Sequence, residues 1–120
     1  MSTVNGMGLR TVEAKTADYT VVADTDNGKT FTNEGVCASA ITFALPAATV
    51  GQWYRFKVVV AQELRIDPNG TETMSLPSSG AKQSAGAYLT ANAVGEGCEI
   101  ECVVAGTWEV NWYTGTWTAT

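Results

Sequence analysis

The run Cys98-Glu99-Ile100-Glu101-Cys102-Val103-Val104-Ala105-Gly106-Thr107-Trp108-Glu109-Val110-Asn111-Trp112-Tyr113 decides the fold. Cys98, Ile100, Cys102 and Val104 alternate with Glu99, Glu101 and Val103. Beyond Ala105-Gly106, Trp108, Val110 and Trp112 alternate with Glu109, Asn111 and Tyr113. An apolar period of two is the mark of a half-buried β-strand. Trp108, Trp112 and Trp117 all lie in or just beyond this run, and each can bury roughly 150–250 Å². Two strands with that much apolar surface need a facing sheet, which the rest of the chain must supply.

Towards the N-terminus the same period recurs. Tyr54, Phe56, Val58 and Val60 alternate with Trp53, Arg55, Lys57 and Val59, and Leu64 and Ile66 extend the pattern past Ala61-Gln62. Ile41, Phe43 and Leu45 predict a strand that Pro46 ends, because proline cannot donate to a ladder. Tyr19 to Ala23 and Lys29 to Thr32 read as two strands of a hairpin, with Asp26-Asn27-Gly28 supplying the positive φ values of a tight turn. Asp67-Pro68-Asn69-Gly70 is a second turn. Short strands are expected within 71–76 and 87–90, and the Ser-, Gly- and Ala-rich stretch 77–86 reads as a surface loop. No window carries a helical period with a cap and a stop. The pattern predicts an all-β fold: an antiparallel β-sandwich or jelly-roll-like barrel of about eight to ten short strands. Residues 1–16 hold too few apolar side chains for a core element and read as a flexible, extended arm able to reach on the order of 50 Å. Residues 17–120 read as the single β domain.

Composition narrows the function. The chain has 120 residues, 45% apolar and only 16% charged, with a net charge of −5. Seven scattered basic residues do not make a phosphate-binding stripe, so no nucleic-acid partner is expected. A membrane-surface role is disfavoured on the same ground. Residues 1–10 lack the apolar core of a secretion signal. Cys98 and Cys102 lie four apart on one strand face, roughly 13 Å between Cα atoms, too far for a disulfide with each other. Cys37 could pair with either, but three cysteines fit free thiols made in the cytoplasm.

Catalytic equipment is scarce. There is no histidine, which excludes Ser-His-Asp and Cys-His arrangements. The cysteines sit among acidic neighbours, the wrong sign for a lowered thiol pKa. Glu99 and Glu101, about 7 Å apart on one strand face, have a spacing that serves glycoside hydrolysis, yet a solvated or edge-protecting face accounts for them. The Asp24-x-Asp26-x-Gly28 spacing lacks the later ligands and closing Glu of a calcium loop. No catalytic residue, metal or cofactor is therefore expected. The aromatic residues rank as core first, subunit interface second and sugar platform third.

The order of motifs carries a resemblance. Ala17-Asp18-Tyr19-Thr20-Val21 is followed by Asp26-Asn27-Gly28-Lys29-Thr30-Phe31. Next come Ile41-Thr42-Phe43-Ala44-Leu45-Pro46-Ala47-Ala48, Gly51 and Tyr54-Arg55-Phe56, then Leu64-Arg65-Ile66-Asp67-Pro68-Asn69-Gly70, and last Gly106-Thr107-Trp108-Glu109-Val110. Over roughly residues 17–117 this resembles the small β-structured virion proteins of tailed bacteriophages, which include capsid decoration (cement) proteins and modules of fibres and spikes. The resemblance implies a sandwich or jelly-roll-like domain, commonly a homotrimer, that binds the major capsid protein on the outside of the head. A short chain opening on Met suits a free-standing decoration protein. The expected capsid contacts are the arm residues Val4, Met7, Leu9, Arg10 and Val12; the expected subunit interface is Trp53, Tyr113 and Trp117. The alternative is a receptor- or carbohydrate-binding module of a fibre or spike, which requires exposed aromatics beside Asp or Asn in a groove.

Overall fold

A computed structural model describes residues 9–34 and 39–120. The described strands are β1 (Val12–Lys15), β2 (Tyr19–Thr20), β3 (Thr30–Asn33), β4 (Ile41–Ala44), β5 (Trp53–Val58), β6 (Leu64–Asp67), β7 (Thr73–Met74), β8 (Leu89–Ala91), β9 (Gly97–Val104), β10 (Thr107–Thr114) and β11 (Thr118–Ala119), with one helical turn, α1 (Ala23–Asp26). They form two sheets. One runs β1-β3-β5-β9-β10-β7 and the other β11-β8-β6-β4-β2.

The chain crosses from one sheet to the other after almost every strand. As a result β1, β3 and β5 lie parallel in one sheet, and β2, β4 and β6 lie parallel in the other. Among the described strands, only the β9–β10 hairpin stays within a sheet. Five of the nine described strand pairs are parallel, which corrects the antiparallel expectation. The alternation of apolar residues is the same for parallel and antiparallel neighbours, so the period of two finds strands without finding their direction.

Asp26-Asn27-Gly28 is a second correction. Gly28 does take positive φ, +82°, but β2 and β3 belong to different sheets. The chain turns between sheets there, with α1 filling the corner. The arm is a third. Residues 12–15 are the edge strand β1, bonded along β3. Its polar inner face misled the reading: Glu13 and Lys15 lie where a core residue would, and their charges are met by Lys29 and by the Tyr19 ring, 3.8 Å from Lys15 Nζ. Val4 and Met7 lie outside the described residues, as does Cys37.

The sheets face each other over one core. Phe31 and Phe56 of one sheet meet Phe43 of the other at 5.4 and 5.3 Å between ring centres. Tyr54, Val58, Ile100, Cys98, Cys102 and Trp108 complete the near side; Ile41, Leu64, Ile66 and Leu89 complete the far side. These inward positions match the sequence alternation. Burial drives the Cys98 thiol well above its ordinary pKa, so it is an inert core group.

Candidate binding surface

Strand register builds the outer face of the larger sheet. Val12, Thr30, Arg55, Glu99 and Trp112 lie in one row across five strands. Ala14, Thr32, Lys57, Gly97 and Thr114 form the row beside it, and Trp53, Glu101 and Glu109 extend the face on the other side.

Trp112 reaches this face through a β-bulge. Glu99 opposes Trp112 but Ile100 opposes Val110, so Asn111 has no partner across the strands. The extra residue reverses the alternation. Trp108 stays in the core, fully buried, while Trp112 turns outward under Arg55, 4.8 Å above its ring, and Lys57, 5.6 Å away. The freed Asn111 amide donates to Glu101 at 2.8 Å and to Glu99 at 3.4 Å. Gly97 makes room for the ring: a Cβ there would come within 3.3 Å of it and 2.9 Å of the Phe56 carbonyl.

Glu99 is the hub. It accepts from Arg55 at 2.9 Å and lies 3.8 Å from Arg10. Arg10 also stacks on Trp53 at 4.9 Å. Gly28 packs so closely on that indole that a Cβ would sit 3.2 Å from the ring. Arg10, Trp53, Glu99 and Glu101 line a shallow concavity. One carboxylate, Glu99, is held by two guanidinium groups, and one amide bridges it to a second, Glu101, so both are acceptors in an open face. They have recognition geometry, whereas hydrolysis needs an acid and a base across a cleft.

The expected site residues therefore divide. Arg10 and Trp53, assigned to different contacts from sequence, touch each other. Leu9 and Val12 are exposed, as is Tyr113 near the end of β10. Trp117 is corrected: it is 4% exposed, and its indole N–H donates to the carbonyls of Gly97 and Thr114. The bulge shifted the alternation before Trp117, and Gly115, at φ +79°, turned the chain back over the core.

A second concavity, lined by Thr90, Asn92, Glu96, Thr116 and Thr118 among others, is structural. Burial would raise the Glu96 pKa, but backbone N–H groups of Thr116, Ala93 and Asn92 outweigh it and hold the carboxyl below its ordinary range. Glu96 thus ties two loops together. Sequence reasoning missed it, along with Trp112's outward turn, because neither depends on periodicity. No protein-family model and no curated protein matches this chain.

Proposed function

We propose that this protein is a non-enzymatic structural component of a phage virion, a decoration protein that binds the major capsid protein on the outer surface of the head. The observation that carries the reading is the joining of the arm to the face. Arg10, at the start of the described chain, is stacked on Trp53 and reaches Glu99, so the start of the described chain is tied to a broad aromatic and charged surface. An extended segment and a preorganised face then engage neighbouring capsid subunits together. Linked contacts of this kind hold through effective concentration. In this reading the facing sheets are the β-sandwich that the resemblance implies, and the homotrimer it also implies multiplies the contacts.

Co-sedimentation with expanded capsids stripped of decoration tests the reading. Truncation of residues 1–9, and Arg10→Ala with Trp53→Ala, should each lower occupancy at least tenfold without unfolding the domain; full occupancy by both would sink it.

A specific feature favours one second reading. Trp112 and Trp53 flank Glu99, Glu101 and Asn111, a composition suited to binding a glycan as a fibre or spike module. It predicts saturable glycan binding that Trp112→Ala abolishes.

A further inference from the structure

We infer that the edge of β1, open among the described residues, is a strand-pairing site for β1 of a second copy of this chain. The inference stands apart from the capsid reading and rests on the backbone. Parallel pairing uses alternate residues: the Thr30 amide donates to the Thr11 carbonyl and the Glu34 amide to the Lys15 carbonyl. Thr11, Glu13 and Lys15 therefore turn their backbone groups to β3, and Arg10, Val12 and Ala14 turn theirs to the open side.

The other sheet edges are short. β7, β2 and β11 have two residues each, whereas β1 has four. Long edges are normally guarded by an outward charge, a proline or a bulge. Here the charges are drawn away from the edge. Lys15 bends over the Tyr19 ring, Glu13 is paired with Lys15 and Lys29, and Arg10 lies on Trp53. What remains beside the edge is apolar: Val12 is 59% exposed and Leu9 92%.

The edge is complementary to itself. A two-fold axis perpendicular to the sheet, beside β1, makes the added strand antiparallel and keeps the same face outward. With Val12 opposite Val12 of the second copy, Arg10 faces Ala14 and all three outward residues exchange both of their hydrogen bonds. On the other side of the strand Thr11 faces Glu13, and Leu9 faces the Lys15 stem. No like charges oppose each other. Moving the register by two residues, to Val12 against Ala14, would set Glu13 against Glu13 and is disfavoured. The two larger sheets become one continuous sheet, and the row that begins at Val12 runs through both copies. The partner is thus identical in chemistry, and the contact pairs copies by twos, separately from any three-fold contact.

Cross-linking tests both partner and register. With Cys37 replaced by serine, and with Cys98 and Cys102 buried, Val12→Cys should form a disulfide-linked dimer under mild oxidation, because directly opposed residues of this type lie about 5.5 Å apart. Ala14→Cys, facing Arg10, should not. Light scattering should show Val12→Pro halving the solution mass. Its amide is not used by β3, so the circular dichroism should be retained; Val12→Lys, which sets two ammonium groups face to face, should give the same halving. A monomeric wild type, equal masses for wild type and both variants, or a Val12→Cys cross-link no stronger than that of Ala14→Cys would each overturn the inference.

Discussion

Single polar residues hold the corners where the chain changes sheets. Asn33 is fully buried. Its amide donates to the Val60 and Gln62 carbonyls, and its side-chain oxygen accepts from the Val59 and Val60 amides. One side chain thus satisfies the loop that carries β5 into β6. In the sequence Asn33 falls just past the strand expected over Lys29 to Thr32 and nothing local marks its role, since its partners lie more than 25 positions away. Asn33→Ala should cost about 2–4 kcal/mol, because several buried backbone groups lose partners together; chemical denaturation checks this. Asp26 does similar work at α1. It is 1% exposed and accepts from Tyr19, the Val22 amide and Lys29. Gly115 has a steric role as well as a positive φ: a Cβ there would lie 2.2 Å from Glu96 Cγ. Gly115→Ala should therefore lower Tm by several degrees and loosen the Trp117 corner, seen as a red-shifted tryptophan emission.

At the scale of elements, β10 shows what periodicity can and cannot deliver. The strands β4, β5, β6 and β9 were legible with their inward faces because each buries one clean alternation: Ile41 and Phe43, Tyr54 and Phe56, Leu64 and Ile66, Ile100 and Cys102. In β10 the Asn111 bulge divides an alternation that reads as unbroken. The tryptophan placed in the core by sequence is then the one that builds the binding face. A bulge depends on the partner strand's register, which no local window contains. Deleting Asn111 removes the extra residue, so an unbroken alternation should keep Val110 inward opposite Ile100 and Trp112 outward opposite Glu99. The variant should lose no more than about 1–2 kcal/mol, the worth of the Asn111 hydrogen bonds to Glu99 and Glu101, and its tryptophan emission should stay in place; a collapse of stability with a shifted emission would remove the bulge from the account. β1 was missed for the converse reason. Its inner positions are Glu13 and Lys15, which close the end of the core as an ion-paired lid rather than filling it.

For the molecule as a whole, the charged lid sets the response to pH. Lys29 and Lys15 hold the Glu13 carboxyl below its ordinary 4.5. Burial would raise Asp26, but its hydrogen bonds from Val22, Tyr19 and Lys29 keep it below 3.8. Groups depressed by folding stabilise above their unfolded pKa, and the contribution is lost as pH falls through the folded values. Tm should therefore hold from neutral down to about pH 5 and decline below about 4, and Asp26→Asn should flatten that decline. At the alkaline end, the hydrogen bond to Asp26 raises Tyr19, and burial raises Tyr54, each from 10.0 to about 12. Raised groups lose their contribution as pH climbs through that window, so a second fall in Tm belongs between pH 10 and 12.

At this scale two facing sheets carry one broad outer face, and Arg10 ties the start of the described chain to it. The most direct test of the proposed virion role is the copy number of this protein against the major capsid protein in purified phage particles. The account predicts a ratio near one to one, the mark of a protein that decorates the whole shell. Absence from the particles would contradict it.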